Sequence, residues 1–452
     1  MTQQTLQFVR NLSKPSTAMF GQPDSSKLDN YYIWTVGCQM NQADSERLSV
    51  ALDQIGLKQA PSMREAKLIV LNSCVVRKSA EDKVTGTLGL LKPIRLANPS
   101  RILAVMGCMV GPDQTSLKKQ FPYVDVFMRP QDYKPLLNVV GERLNIDWEG
   151  SIGAPIPKKP KVSAYIPIIH GCDLFCSFCI IPYRRGRQVS RPIREIAKEV
   201  QLLTARGVRE VTLLGQTVDA YGADLPSKPD LADLLHELNS IASLERIRFL
   251  TSHPMFMTNR IIQAVAELPK VCEHINLPVQ AGDDTILQRM RRTYDREQYL
   301  DLVKRIRDTI PGVSLTTDVI VGFCGETPDQ FGRTFDLLAE VGFDKVHVAP
   351  YSTRPGTIAA RKLADDVSQE EKTRRRQEIE DLQKQVVSKI NERLLGQTVE
   401  ILVDKKSRGK WRGRTRTDKL VFFEDNEVDH TGRLTKVEIT KTGPWSLQGI
   451  LV

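Results

Sequence analysis

Residues 170–187 read HGCDLFCSFCIIPYRRGR, with thiols at Cys172, Cys176 and Cys179. This C-x3-C-x2-C run follows directly on the apolar stretch Ala164–Ile169, so the thiols leave the C-terminal end of an expected strand. Five more strand-like runs follow, at Glu210–Leu214, Arg246–Leu250, His274–Leu277, Ser314–Val321 and Lys345–Ala349. Helical patterns lie between them, including Ile193–Ala205, Leu231–Ile241 and Gln298–Asp308. Six β/α units in about 200 residues predict a partial, (β/α)6 TIM barrel whose functional residues sit at strand C-termini. Three thiolates can bind three irons of a [4Fe–4S] cluster and leave the fourth iron open. A zinc site completed by His170 is the alternative that this spacing leaves standing.

A second set of thiols lies upstream. Cys38, Cys74 and Cys108 follow the apolar runs Tyr31–Val36, Leu68–Leu71 and Ile102–Met106, and are 36 and 34 residues apart. The intervening stretches Ser45–Ile55 and Ala80–Leu91 have helix length. One βαβ repeat takes about that many residues, so all three thiols are expected on the C-terminal edge of one parallel sheet, where open α/β folds build their sites. That domain is expected to be Rossmann- or flavodoxin-like. Three converging thiolates there suit a second cluster with an open iron, and three separately buried cysteines are the bland alternative. Cys272 and Cys324 have no partner at ligand spacing and read as small packed residues.

The chain has 452 residues, 41% hydrophobic and 26% charged, which implies about three globular domains and excludes disordered or fibrous classes. Eight cysteines are too sparse for a disulfide-stapled scaffold. No apolar run approaches the roughly 18 residues of a spanning helix, and the N-terminus lacks a signal-peptide core, so a cytoplasmic protein with no membrane partner is expected. The boundaries expected are a flexible lead-in over 1–27, an α/β domain over 28–149 and a Gly/Pro/Lys linker over 150–161. The barrel then covers 162–390, and a small all-β domain covers 391–452. A charged helix over 368–395 is expected to dock on the barrel.

The net charge of +10 favours an anionic partner. Within KKSRGKWRGRTRTDK, Arg408, Lys410, Arg412, Arg414 and Arg416 alternate at period two, so one extended strand would present all five on one face and could track an RNA backbone. Trp411 beside them could stack on a base or fill a small barrel core.

These motifs resemble the radical S-adenosylmethionine (SAM) methylthiotransferases from about Tyr31 onward. GCQMNQADSE (37–46), YRRGRQVSRP (183–192), VTLLGQTVDAYG (211–222) and YSTRPGT (351–357) are most similar to the branch that acts on N6-dimethylallyladenosine in tRNA. The sister enzymes modify threonylcarbamoyladenosine or a ribosomal-protein aspartate. The resemblance implies an N-terminal cluster domain, a radical-SAM barrel and a C-terminal TRAM domain that binds RNA. It implies two [4Fe–4S] clusters and two SAM per turnover, one cleaved to a radical that abstracts hydrogen at C2 of the adenine and one methylating sulfur on the auxiliary cluster. Phe178, Gln216, Ser252, Gln280 and Asp318 are the implied SAM contacts, with His253, Asp283 and Glu326 nearby. Arg184, Arg185, Arg187 and Arg191 are candidates for the SAM carboxylate or tRNA phosphates. Implied partners are the tRNA anticodon stem-loop, an electron donor such as flavodoxin or ferredoxin, and a sulfur or cluster supply system, with a monomer as the default. Thr217 and Asp219 stand where Asn is usual in the family, and Cys324 where Pro is usual. An iron–sulfur RNA-binding or redox-sensing protein is the non-enzymatic alternative.

Overall fold

The computed structural model describes residues 28–75 and 78–452, so the expected lead-in lies outside the described residues. Two compact units divide between Pro155 and Ile156, inside the Gly/Pro/Lys stretch. Among the described residues no helix is long and apolar enough to cross a membrane.

The first unit holds a five-stranded sheet of β1 (Asn30–Val36), β2 (Lys58–Gln59), β3 (Leu68–Ser73), β4 (Ile102–Gly107) and β5 (Val126–Met128). All pairings are parallel and the order is β2-β1-β3-β4-β5, the flavodoxin-like arrangement. β3 and β4 are buried at every position, as strands covered by helices on both faces must be. The sequence reading found β1, β3 and β4. It missed β2, two exposed residues with no apolar signal, and the three-residue β5.

The second unit opens with β6 (Ser163–Pro167), followed by a short antiparallel ribbon of β7 (Ile169–His170) and β8 (Val189–Ser190) that frames the cysteine loop. The barrel strands continue as β9 (Glu210–Leu214), β10 (Arg246–Phe249), β11 (His274–Asn276), β12 (Ser314–Val321) and β13 (Lys345–Pro350). They form parallel sheets β10-β9-β6 and β11-β12-β13, joined by a bridge between Ile247 and Val271 and by the Ser252 N–H to Asn276 carbonyl bond of 3.2 Å. The helix Gln369–Glu392 is capped by Ser368 and covers this barrel mainly through polar contacts, with Arg375 buried against Glu326 at 2.7 Å.

The last strands, β14 (Thr398–Ser407), β15 (Lys410–Thr415), β16 (Leu420–Phe423), β17 (Leu434–Thr442) and β18 (Leu447–Leu451), close into a barrel ordered β14-β15-β16-β18-β17. Its core contains Ile401, Val403, Trp411, Val421, Phe423 and Ile439. The Trp411 indole N–H donates to the Asp425 carbonyl at 2.9 Å, so this side chain is core and unavailable for base stacking.

Buried arginines fasten this small barrel to the N-terminal ends of the larger barrel's strands. Arg248 pairs with Glu210 at 2.9 Å and donates to the carbonyls of Thr415 at 2.6 Å and Arg416 at 2.7 Å. Arg246 donates to the Arg414 carbonyl at 2.6 Å, and Lys419 pairs with Asp344 at 2.7 Å. With Arg248 and Glu210 4% and 6% exposed, removing one partner leaves a buried uncompensated charge, a cost of about 3–5 kcal/mol. Arg248→Ala should therefore unfold at markedly lower temperature and release the C-terminal domain to trypsin faster than wild type. Unchanged melting and cleavage would show that this ion pair does not hold the docking together.

Candidate active site

In the first unit, parallel register aligns Val36 with Ser73 and Ser73 with Gly107, so Cys38, Cys74 and Cys108 all emerge at one sheet edge. β1 and β3 flank the point where strand order reverses, the usual crevice for ligands in such sheets. Local backbone makes the approach possible. A Cβ on Gly37 would lie 2.8 Å from the Cys74 Cβ, and Gly107, at φ 99°, has no room for one beside Asn72 and Ser73. Cys38 begins the helix Gln39–Gln54, and its thiol lies 3.3 Å from the Asn41 carboxamide oxygen. The Asn41 amide donates in turn to Asn72 at 2.9 Å, and Asn72 donates to the Asn41 carbonyl at 2.7 Å. The sequence reading quoted Asn41 inside GCQMN without giving it this role, and missed Asn72. The polar pair Asn72–Ser73 ending the apolar run LIVL was the available signal.

In the second unit, the cysteine loop is tied down from several sides. Gly171 at φ 72° passes so close to Arg187 that a Cβ would sit 1.9 Å from its carbonyl oxygen, and Cys172 N–H donates to Gly186 at 3.2 Å. Ser177 N–H donates to the Met290 carbonyl at 3.0 Å, its hydroxyl to Arg289 at 2.7 Å, and its carbonyl accepts from Ala359 at 2.8 Å. Burial, with smaller contributions from the neighbouring thiols Cys176 and Cys172, pushes Cys179 up to about 12. Cys172 is likewise raised, by burial first. Buried thiols of this kind stay protonated unless a metal takes the place of the proton. Among the described residues no group of three or more His, Cys, Asp or Glu side chains is arranged to hold a metal ion.

The implied SAM contacts lie around the same strand ends. Gln216 and Ser252 follow β9 and β10, and Gln216 Oε1, Ser252 Oγ and Asp219 Oδ1 are buried without a hydrogen-bond partner. Buried polar atoms left unsatisfied in this way fit a polar ligand such as the amino-acid end of SAM. The loops are laced together: Thr251 Oγ1 donates to the Gly215 carbonyl at 2.8 Å, Val218 N–H to the Thr251 carbonyl at 3.1 Å, and His253 N–H to Asp219 Oδ2 at 2.7 Å. Thr251 and Gln280 adopt left-handed φ of 66° and 72°, conformations that non-glycine residues hold mainly at functional sites. Asn276 donates to Asp318 at 3.1 Å and accepts from Thr251 N–H at 3.2 Å, linking the third, fourth and fifth strands. Phe178 packs partly buried on the barrel core.

Burial pushes Asp219 up to about 8 and His253 down to about 2, the Arg292 charge lowering the latter further. At neutral pH the first is therefore a neutral acid and the second a neutral imidazole. Other candidates are structural. Asp283 caps the helix Asp284–Arg289 and pairs with Arg333 at 2.5 Å, Glu326 holds Arg375, and Arg191 pairs with Glu199 at 2.6 Å. The sequence reading missed Arg292, whose Nη1 lies 3.6 Å from the Cys176 sulfur, and the contact of Thr217, 3.6 Å from the Cys172 sulfur.

Three family models match the chain: the Radical SAM superfamily over residues 166–338, Uncharacterized protein family UPF0004 over 30–129, and the TRAM domain over 392–452. The tRNA-2-methylthio-N(6)-dimethylallyladenosine synthase of Roseiflexus sp. (strain RS-1) is 51% identical over 425 residues, covering 93% of this chain and 89% of that protein. The chain belongs to this synthase family. The synthase of Dehalococcoides mccartyi (strain CBDB1) is 49% identical over 94% of this chain and 99% of its own. A radical SAM methyltransferase structure from Kitasatospora setae, with cobalamin and a [4Fe–4S] cluster bound, aligns with TM-score 0.53 at 12% identity over 85% of this chain and 81% of its own. That likeness is one of fold alone.

In this synthase-family chain the five-residue cationic face expected in the TRAM domain is reduced to three. Arg408 and Gly409 form the two-residue hairpin loop, at φ 52° and 82°, so Arg408 is off the strand. Arg416 lies beyond β15 and grips Glu273 through two hydrogen bonds of 2.6 and 2.8 Å, with further bonds to the carbonyls of Pro269 and Val271. It is a docking residue. Lys410, Arg412 and Arg414 alternate with the buried Trp411, Gly413 and Thr415, and pair with Glu424, Asp404 and Asp418 respectively. Exposed pairs of this type are worth about 0–1 kcal/mol, so phosphates can displace the carboxylates.

Proposed function

We propose that the chain transfers a methylthio group to C2 of N6-dimethylallyladenosine beside the anticodon of tRNA, giving 2-methylthio-N6-dimethylallyladenosine. The observation that carries this is 51% identity to a synthase of that name over 93% of the chain. Cys172, Cys176 and Cys179 would hold one [4Fe–4S] cluster, with SAM on its open iron, while Cys38, Cys74 and Cys108 would hold an auxiliary cluster. When bound, the first cluster and SAM together would supply the carbon radical, while the protein supplies binding and orientation.

The chain's own residues bind, orient and exclude water. Gln216 and Ser252 would offer their unsatisfied oxygens to the SAM amino-acid moiety, with Asp318, held by Asn276, and Gln280, whose N–H donates to the Asp318 carbonyl, as the further contacts. Phe178, partly buried against the barrel core, would flank the adenine. Asp219, neutral below about pH 8, can donate a hydrogen bond to a ligand oxygen without adding charge beside the thiolates. Gly171 and Gly215 leave room for the backbone of the ligand loop, since a Cβ on Gly215 would lie 2.3 Å from Ile169.

In this reading each turnover uses two SAM. One is spent on the radical and the other supplies the methyl group. A reductant such as flavodoxin or ferredoxin and a sulfur or cluster supply system complete the cycle, which we place in the cytoplasm with the enzyme as a monomer. The anticodon stem-loop is captured on the TRAM face of Lys410, Arg412 and Arg414, with Arg408 at its hairpin tip.

A deletion strain complemented with the wild-type gene should contain 2-methylthio-N6-dimethylallyladenosine by nucleoside mass spectrometry. Complementation with the Cys38→Ala, Cys74→Ala, Cys108→Ala variant should leave N6-dimethylallyladenosine, although the purified variant still makes 5′-deoxyadenosine from SAM. If only the threonylcarbamoyladenosine product, or a ribosomal-protein modification, tracks the gene, the substrate assignment is wrong. Lys410→Gln, Arg412→Gln and Arg414→Gln together should flatten the slope of log affinity for tRNA against log salt by about 2–3, at about 0.7–0.9 per lost phosphate contact. An unchanged slope would take this face out of the interface.

A further inference from the structure

The environment of the Cys176 sulfur has a feature that cluster ligation does not itself require. The turn Arg289–Arg292 runs beside the ligand loop, fixed there by the two Ser177 hydrogen bonds to Met290 and Arg289. From this turn Arg292 extends its guanidinium to Cys176, Nη1 to Sγ 3.6 Å. Its other nitrogens are committed: Nη2 donates to the Pro278 carbonyl at 3.0 Å and Nε to the Tyr294 hydroxyl at 2.8 Å. Tyr294 is locked in turn by donation to the carbonyls of Val279 at 2.9 Å and Pro278 at 3.1 Å, and by packing on His253 and Tyr299 with centroids 5.7 and 6.0 Å apart. Those two anchors are neutral, so neither cancels the cation. A smaller donor serves a second ligand, with the Thr217 hydroxyl 3.6 Å from Cys172 Sγ.

We propose that Arg292, assisted by Thr217, sets the reduction potential of the Cys172/Cys176/Cys179 cluster by donating N–H···S and O–H···S hydrogen bonds to two of its three ligand sulfurs. The proposal rests on the cluster assignment made above. Adding an electron makes the cluster more negative. A fixed cation and sulfur hydrogen bonds stabilise that reduced form and raise the potential, and both effects are stronger where the site is dry. An arginine suits this task because it stays charged and its planar fork lets one nitrogen face sulfur while the others hold the orientation. Arg292 is thus a positioning and tuning residue whose loss makes the cluster harder to reduce by a cellular low-potential donor. Thr217, standing where the family usually has Asn, contributes a neutral donor and a smaller effect.

The test uses the full chain with Cys38, Cys74 and Cys108 replaced by Ala, reconstituted with iron and sulfide and titrated without SAM under EPR detection. Arg292→Gln should lower the ratio of reduced to oxidised cluster at a fixed potential about tenfold, or about 59 mV for a one-electron couple. Thr217→Val should shift it in the same direction by less. Arg292→Lys, which keeps the charge without the fork, should fall between Arg292→Gln and the parent. A fully loaded Arg292→Gln protein at the parent midpoint overturns the proposal. So does an Arg292→Lys protein at the parent midpoint if Arg292→Gln cannot hold a cluster. Absence of any [4Fe–4S] signal in the parent would instead refute the assignment of Cys172, Cys176 and Cys179 on which the proposal rests.

Discussion

Parallel strand pairing is the constraint on which both sites depend. In a parallel sheet every strand ends on the same edge, and the chain must cross back, usually through a helix, to the start of the next strand, so one whole βαβ unit takes about 30 residues or more. Thiols placed just after β1, β3 and β4 are therefore gathered by backbone hydrogen bonding alone, through the Val36–Ser73–Gly107 register. The larger barrel follows the same rule. β6 and β9 pair so that Pro167 faces Leu214, and the ligand loop that follows β6 meets Gly215, Gln216 and Thr217 after β9. Side chains refine these meeting points but do not create them.

What the chain adds is a dry, under-satisfied surface at those edges. Glycines at 37, 107, 171 and 215 remove the Cβ atoms that would block close approach, and three of them hold φ between 72° and 156°. Burial keeps Cys172 and Cys179 protonated in the absence of metal, holds Asp219 neutral and His253 uncharged, and leaves the oxygens of Gln216 and Ser252 without partners. Such groups destabilise a protein on their own, by about 1–3 kcal/mol for each unsatisfied buried polar group. Their concentration at one barrel mouth is intelligible if ligands satisfy them there. At the opposite ends of the barrel strands Arg246, Arg248 and Glu273 are bonded to the TRAM domain, and Glu210 pairs with Arg248. That separates the end responsible for stability from the end responsible for chemistry.

Elements with a strong period or a distinctive ligand spacing were legible in the sequence. The six large-barrel strands, the three long strands of the first unit and both thiol triads could be read from apolar runs and cysteine positions. What depended on a short stretch or a distant partner could not. β2 has two exposed residues and carries no hydrophobic signal. The period-two cations suggested one straight strand, but a two-residue turn removes Arg408 at one end. At the other, Glu273, 143 residues away, draws Arg416 into the domain contact. Arg292 looked like one of many arginines on a charged segment, because its meaning lies in a sulfur 116 residues earlier. Asp283 sat in the right place for a ligand contact, yet its carboxylate is used to cap a helix.

The proposed chemistry requires that six of the eight cysteines form two independent cluster sites, one at each parallel-strand edge. Iron and sulfide analysis with Mössbauer spectroscopy on anaerobically reconstituted protein tests it most directly. Wild type should carry about eight irons per chain, all as [4Fe–4S], and replacing either triad with alanine should leave about four in an otherwise intact cluster. A wild-type protein saturating at about four irons, or a triple variant that loses both clusters while remaining folded, would contradict it.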